Sequence, residues 1–134
     1  MKYVVIGSSA AGINGIRELR KLDKTAEIVL SSKDNEIYSR CILHHYLGGM
    51  RTIPELNFAE HNFAELYNVE WIKGVACTGV NTAEKKVTLE NGEEVSYDKL
   101  LIATGSHTFI PPVKNLAGAK NIRGFRNVDD IEVL

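Results

Sequence analysis

A turn of small residues between a short strand and a helix constrains the fold more than any other feature of this 134-residue sequence. The apolar run Lys2–Ile6 predicts a strand, and the segment GSSAAG at positions 7–12 follows it directly. From about Ala10 to Leu22, apolar residues recur with the spacing of one helix face. Glu27–Leu30 then predicts a second apolar strand. Strand, glycine turn, helix and strand in this order predict a parallel βαβ unit.

The turn has the pattern G-x-S-x-x-G, which differs at its middle glycine from the G-x-G-x-x-G of dinucleotide-binding folds. Gly7 permits a tight turn, and the small residues at positions 9–11 let backbone amides approach a pyrophosphate. Gly12 lets the helix pack closely on the strand, and Ser9 offers a hydroxyl donor. An ordinary strand-to-helix turn is the alternative, but the βαβ context favours nucleotide binding.

The second predicted strand leads into Ser31-Ser32-Lys33-Asp34. Dinucleotide-binding units commonly carry an acidic residue here, which accepts hydrogen bonds from the ribose. Ser32 occupies the place of that acid, which weakens the expected contact. Ser32, Lys33 or Asp34 could substitute for it, and the sequence does not choose among them. A solvated loop is the alternative for Lys33 and Asp34.

Two helices and a third strand are predicted in the next part of the chain. Arg40–Leu47 has helical character and ends at Gly48-Gly49, a good stop signal. Asn62 is a predicted cap for a short helix that runs through Tyr67. Val69–Ile72 predicts a strand.

Beyond position 74 the sequence predicts an antiparallel meander and then another strand. Asn91-Gly92 is a strong hairpin signal, because both residues tolerate positive φ. Lys99–Ala103 predicts the following strand, which ends at Thr104-Gly105. A last strand is predicted at Asn121–Phe125, and a helix begins at Asp129-Asp130. The meander strands are Val75–Val80, Lys86–Leu89 and Val95–Tyr97.

Charge and composition exclude several classes of protein. Sixteen basic and 17 acidic residues give a net charge of −1, which offers no electrostatic attraction for nucleic acid or an anionic membrane. No apolar run approaches the roughly 20 residues of a membrane-spanning helix. Cys41 and Cys77 form neither a disulfide framework nor a C-x-x-C pair. Without a convincing signal peptide, these features predict a cytoplasmic protein.

Three motifs occur in one order along the chain: VVIGSSAAG at positions 4–12, YSRCIL at 38–43, and YDKLLIATG at 97–105 after Asn91-Gly92. Together they resemble the FAD-dependent pyridine nucleotide–disulfide oxidoreductases. The nearest branch contains NADH oxidases, coenzyme A-disulfide reductases and rubredoxin reductase-like proteins. The resemblance implies an α/β fold, a Rossmann-like FAD-binding domain with a parallel sheet and an inserted antiparallel β-meander. It implies that residues 1–134 are the N-terminal part of this domain, without the NAD(P)H-binding and interface domains.

The resemblance also implies an activity for the intact enzyme. A hydride passes from NAD(P)H to FAD, and electrons then pass to a thiol or disulfide, to oxygen or to an iron-protein acceptor. A homodimer is expected at full length, and the isolated segment is expected to be inactive because it lacks the nicotinamide site. The alternative is a non-catalytic nucleotide-binding module or assembly subunit that uses the same glycine turn. A plain NAD enzyme would give no reason for the later Ala-Thr-Gly turn.

Residue by residue, the resemblance implies a set of cofactor contacts. The implied pyrophosphate loop consists of Gly7, Ser9, Ala10, Ala11 and Gly12, and the implied adenosine-ribose contacts are Ser32 and Lys33. The resemblance places Arg40 near the flavin, and Ala76 and Cys77 on the strand beside adenine. It implies a second flavin-nucleotide contact at Ala103, Thr104 and Gly105, and an arginine near the domain junction at Arg126.

Two further residues are candidates for catalysis. Cys41 matches the redox cysteine of the single-cysteine branch, where a helix N-terminus and Arg40 would favour the thiolate. Such a thiolate passes electrons from reduced flavin to a disulfide. The alternative is packing, because the rubredoxin reductase-like branch has proline here. His45 matches a lysine near the flavin in that branch and could donate a proton or position the ring. No metal site is predicted, because His44 and His45 point about 100° apart on a helix.

Overall fold

A computed structural model describes residues 1–116 and 118–133. In these residues the chain forms one parallel and one antiparallel sheet, with helices between the strands. No helix in this part of the chain has the length and apolar character needed to cross a membrane. The strands are β1 (Lys2–Ile6), β2 (Glu27–Ser32), β3 (Val69–Lys73), β4 (Cys77–Asn81), β5 (Lys86–Leu89), β6 (Glu94–Ser96) and β7 (Lys99–Ile102). The α-helices are α1 (Ala10–Leu22), α2 (Leu43–Leu47), α3 (Phe63–Leu66) and α4 (Val128–Glu132), and 3₁₀ turns cover Arg40–Ile42 and Pro54–Leu56.

The parallel sheet has the strand order β3-β2-β1-β7, so β1 lies between β2 and β7. Val5 pairs with Leu30 on β2 and with Leu101 on β7. Parallel neighbours need a crossover connection, and α1 provides it between β1 and β2. The structure confirms the predicted α/β class and the βαβ unit. Both β1 and α1 have the predicted bounds, while β2 continues to Ser32.

Both faces of the parallel sheet are covered, so alternate residues of β1 belong to different cores. Val5 packs with Ile13 and Ile16 of α1. Val4 and Ile6 point to the other face and pack with residues of the meander. Each fully buried aliphatic side chain stabilises the folded state by about 1.5–3 kcal/mol, because its apolar surface is removed from water. Burial on both faces explains why β1 does not alternate between apolar and polar residues.

The meander is a three-stranded antiparallel sheet with the order β4-β5-β6. Its hairpin between β5 and β6 lies at Asn91-Gly92, as predicted, but the loop has three residues. The N–H of Leu89 donates to the carbonyl of Glu93, and the N–H of Gly92 donates to that of Leu89. Gly92 has a φ of +84°, whereas Asn91 is not at positive φ. Both residues tolerate positive φ, but a three-residue loop requires it only at the glycine.

The helix predicted over Arg40–Leu47 is divided in two. A 3₁₀ turn over Arg40–Ile42 precedes α2, because Ile42 has φ −117° and ψ 19°, which is not helical. Asn62 precedes α3, but its side chain makes no capping bond. Its φ of −100° and ψ of 34° differ from the extended conformation of a capping residue. Local sequence signals therefore located these helices but not their ends.

The strand predicted at Asn121–Phe125 is absent from the described residues. This segment has no ladder partner there, and a strand needs one to satisfy its backbone groups. The backbone of Gly124 instead packs on the side chain of Thr108. The first meander strand also begins later than predicted, because Val75 bonds through its backbone to Ser32 on β2.

Arg20 on α1 connects three parts of the chain near the start of β2. Its guanidinium donates to the carbonyls of Tyr67 and Asn68, at 2.8 and 3.0 Å. It also donates to the carbonyls of Ala26 and Asp23, at 2.8 and 3.2 Å. The end of α1, the entry to β2 and the turn before β3 are therefore held by one side chain.

Candidate functional site

A cavity of about 260 Å³ lies where β1, β2 and β7 end. Crevices beyond the carboxyl ends of parallel strands are the usual ligand sites of α/β sheets. The structure brings predicted site residues from six segments to the wall of this cavity. They are Gly7 and Ser9; Ser32 and Lys33; Arg40; Ala76 and Cys77; Ala103, Thr104 and Gly105; and Arg126.

The glycine turn and the Ala103–Gly105 bend are in direct contact. The N–H of Ala103 donates to the carbonyl of Ile6 at 2.8 Å, which continues the β1–β7 pairing into the bend. Gly7 has a φ of +108°, and a Cβ on it would overlap the carbonyl oxygen of Ala103. A side chain is therefore excluded at Gly7 both by backbone conformation and by lack of space.

The other predicted pyrophosphate residues form the first turn of α1. Ser9 is the N-cap residue, and its side chain makes no capping bond. The first bond of the helix runs from the N–H of Ile13 to the carbonyl of Ser9. The N–H groups of Ala10, Ala11 and Gly12 precede it and have no acceptor within the helix. These three residues do not line the cavity wall, although the helix dipole gives this end partial positive charge.

Ser8 is the residue of the turn that sequence reasoning missed. It is 4% exposed, lines the cavity, and its Oγ has no hydrogen-bond partner among the described residues. Buried hydroxyls without a partner are rare in folded proteins because they lose their bonds to water. An acceptor in the cavity, such as a phosphate oxygen, would satisfy this donor. The variable position within the motif gave no signal of this role.

The two serines at the end of β2 use their hydroxyls inside the protein. Ser31 Oγ donates to the carbonyl of Val75 at 3.0 Å, and Ser32 Oγ donates to the carbonyl of Asp34 at 2.6 Å. Ser32 Oγ also accepts a bond from Trp71 Nε1 at 2.9 Å. Ser32 thus lies on the cavity wall with its hydroxyl already engaged, while Lys33 is exposed beside it.

Asp34 anchors a polar network on the same wall. Its Oδ2 accepts from Arg40 at 2.7 Å and its Oδ1 from the hydroxyl of Tyr38 at 3.2 Å. Arg40 also donates to Asn127 Oδ1 at 3.3 Å, and its guanidinium carbon lies 4.7 Å from the centre of the Tyr38 ring. Burial and the neighbouring Asp34 carboxylate disfavour the phenolate and raise the pKa of Tyr38 to about 12.

Arg126 is held between the bend after β7 and the start of α4. Its Nε donates to the carbonyl of Ser106 at 2.5 Å, while its backbone N–H donates to Asp130 Oδ2 at 2.9 Å. Asp130 and Asn127 form a reciprocal capping box at the start of α4. These backbone donors, and to a smaller extent the charge of Lys33, lower the pKa of Asp130. The predicted acidic start of this helix is thus explained by its capping.

The two candidate catalytic residues lie outside this wall. Cys41 is exposed within the 3₁₀ turn, and His45 belongs to the short helix α2. The rings of His44 and His45 meet edge to face, with centroids 4.4 Å apart. Among the described residues, no group of three His, Cys, Asp or Glu side chains could hold a metal ion. The catalytic roles of Cys41 and His45 stay predictions.

Several lining residues were not predicted from the sequence. Ser106 and His107 directly follow the Ala-Thr-Gly motif, so extending that motif by two residues would have found them. Asn127 and Asp129 come from the start of α4. They closely follow Arg126, so extending that prediction toward α4 would have found them.

Comparisons with known proteins agree with this architecture. The family model described as pyridine nucleotide-disulphide oxidoreductase matches residues 1–134. Rubredoxin-NAD(+) reductase of Alcanivorax borkumensis is 34% identical over 113 residues, which are 83% of this chain and 29% of that protein. NADH oxidase of Methanocaldococcus jannaschii is 29% identical over 132 residues, which are 92% of this chain and 30% of that protein.

A solved structure shows the same fold. The NAD-dependent persulfide reductase from A. fulgidus superposes with a TM-score of 0.85 and 29% identity, and the match covers 98% of this chain and 26% of that one. The chain therefore spans less than a third of the length of each of these three proteins.

Proposed function

The chain belongs to the pyridine nucleotide-disulphide oxidoreductase family, and from this premise we propose that its cavity binds FAD. We further propose that the whole protein transfers a hydride from NAD(P)H to this flavin. One observation carries the proposal: the glycine turn after β1 and the Ala103–Gly105 bend after β7 touch each other at one cavity. A single extended dinucleotide could contact both bends, whereas an ordinary strand-to-helix turn would need only the first.

The residues of the cavity fit a diphosphate. The hydroxyl of Ser8 is buried and has no hydrogen-bond partner among the described residues, and Ser8 lines the cavity, so a bound phosphate could accept a hydrogen bond from it. Gly7 leaves the backbone uncovered, and the dipole of α1 gives this end of the helix partial positive charge. We assign the diphosphate to this turn, the adenine to the wall at Ala76 and Cys77, and the flavin half to the side of Arg40, Ala103–Gly105 and Arg126.

The flavin would supply the redox chemistry, accepting a hydride from the nicotinamide and releasing electrons to an acceptor. The chain's own residues bind and orient it. Arg40 is fixed by Asp34, Tyr38 and Asn127, and Arg126 is fixed by the carbonyl of Ser106, so both cations have set positions. Donors held in place in this way can bind a ligand without rearrangement.

For the electron acceptor of the whole protein, we propose the three classes that the sequence predicted: a thiol or disulfide, oxygen, or an iron protein. Names of the relatives include a rubredoxin reductase, an oxidase and a persulfide reductase, so they span these classes. Cys41 distinguishes among them, because its exposed thiol could reach a substrate in solution. In the whole protein, Cys41→Ser should abolish NADH-dependent disulfide reduction and leave oxygen reduction intact. Unchanged turnover with every acceptor would remove Cys41 from the mechanism.

Absorption and ligand titration test the FAD proposal. We expect the purified protein to show flavin absorption, or to acquire it on titration with FAD, and to prefer FAD over NAD. Gly7→Ala should abolish this binding, because it fills the contact with Ala103. Gly92→Ala is the matched control, since Gly92 also has positive φ but has open space around it. Colourless protein that binds ADP or NAD and not FAD would favour the non-catalytic nucleotide-binding module instead.

A further inference from the structure

The end of β2 carries no carboxylate that is free to bind a ribose. Ser31 and Ser32 are 1% and 4% exposed, and both hydroxyls donate to backbone carbonyls within the protein. The second bond to Ser32 Oγ, from Trp71, occupies the hydroxyl as an acceptor as well. Both hydroxyls are buried, carry no charge and have given their only proton to a carbonyl, so neither matches the acid that usually binds the 2′-hydroxyl at this point.

Asp34, the next acid along the chain, is also engaged. One of its oxygens accepts from Arg40 and the other from Tyr38. The charge of this carboxylate is balanced by the guanidinium 2.7 Å away. With its charge offset in this way, Asp34 adds little net negative charge at this end of the cavity.

Lys33 is the exposed cation at this end of the cavity. It is exposed and lines the wall, and among the described residues no carboxylate oxygen lies within 4 Å of its Nζ. Asp129 lines the same wall, and Asp130 is close enough to sense the charge of Lys33. The carboxylate of Asp130 is nevertheless turned toward the backbone N–H groups at the start of α4.

An acid at the end of β2 binds the free hydroxyl and repels a phosphate on it, whereas a nearby cation accommodates that phosphate. This chain has Ser32 in the place of that acid and the cation Lys33 directly after it. We propose that Lys33 makes the adenosine end of the cavity a binding site for adenine nucleotides whose ribose carries an additional phosphate. Such nucleotides would compete with FAD for the cavity. The inference rests on the proposed function, because it requires adenosine to lie at the end of β2.

Calorimetric titration with 5′-ADP, 2′,5′-ADP and 3′,5′-ADP tests the inference. We expect at least one of the two bisphosphates to bind about three- to tenfold more tightly than 5′-ADP at low salt, with an advantage that shrinks as salt is added. Comparing the two bisphosphates identifies the hydroxyl that carries the phosphate. Each should also displace FAD in a competition titration.

Lys33→Gln should remove the advantage, so that the bisphosphates and 5′-ADP bind the variant with equal affinity. Lys24→Gln is the matched control, because Lys24 is an exposed lysine that precedes the opposite end of β2 and its replacement changes the net charge equally. If 5′-ADP and FAD bind but neither bisphosphate binds more tightly than 5′-ADP, the role of Lys33 is overturned and the proposed function stands. If a bisphosphate still binds Lys33→Gln more tightly than 5′-ADP does, the role of Lys33 is also overturned. If no adenine nucleotide binds, the proposed function and this inference both fail.

Discussion

Replacing Gly12 with alanine tests the close packing between α1 and the glycine turn. A Cβ at this position would lie 3.0 Å from the carbonyl carbon of Gly7 and would overlap its oxygen. These are backbone atoms of a turn bonded to β2, so they cannot rotate away as a side chain would. Alanine improves helix propensity by about 1 kcal/mol, whereas overpacking costs typically about 1–3 kcal/mol and more when a site cannot relax. Because the overlapping atoms cannot move away, we expect the upper end of this difference, a net loss of about 2 kcal/mol.

Denaturant and thermal unfolding measure this loss. For a domain of this size, about 2 kcal/mol corresponds to a fall in Tm of roughly 6–12 °C. Gly15→Ala is a control within the same helix, because its Cβ would lie 2.6 Å from Leu101 Cδ2, the end of a side chain that can move. We expect the control to stay within about 1 kcal/mol of the original protein, since propensity and repacking oppose each other. A Gly12→Ala protein as stable as the control, with ADP binding intact, would refute the packing argument.

Two other predictions concern Ser8 on the cavity wall and Tyr38 in the network that holds Arg40. Ser8→Ala removes a buried hydroxyl that has no partner among the described residues. Stability without ligand should therefore be unchanged or rise by up to about 1 kcal/mol, while affinity for FAD falls roughly tenfold; an unaltered FAD titration would exclude Ser8 from the proposed diphosphate site. Tyr38 has its pKa raised to about 12, so the folded protein holds the phenolic proton more strongly than the unfolded chain does. The resulting stability is complete below pH 10 and is lost as pH rises through 12, by up to about 3 kcal/mol. In Tyr38→Phe, unfolding followed from pH 9 to 12 should show a shallower decline, and an equally steep one would assign the loss to other groups.

The elements that sequence reasoning located best are those whose signals are local. Strand β1 and helix α1 have the predicted bounds because an apolar run, a turn of small residues and a helical period follow one another without interruption. The hairpin at Asn91-Gly92 was also found, but its loop length depends on the pairing of Leu89 with Glu93 across the turn. The segment 121–125 has the composition of a strand, yet a strand forms only where another strand can pair with it.

The limits of prediction from the sequence are clearest at the end of β2. From sequence, Ser32, Lys33 and Asp34 were equally able to replace the missing acid. In the structure, Trp71 engages Ser32 from 39 residues away, and Arg40 engages Asp34. Such contacts depend on how separate elements pack, which no spacing rule reveals. The contact between the glycine turn and the Ala-Thr-Gly bend followed from the motifs only through the family resemblance, and its physical basis is the β1–β7 pairing.

The guanidinium of Arg20 has a consequence for local unfolding of the protein. Because one planar group bonds to four carbonyls from separate segments, those segments should exchange their amide hydrogens as one cooperative unit. A lysine has a single ammonium group with three donors and cannot reproduce this fork. The corner of the sheet opposite the cavity is thus held by one side chain, and its protection from exchange should be the same whether or not the cavity holds a ligand.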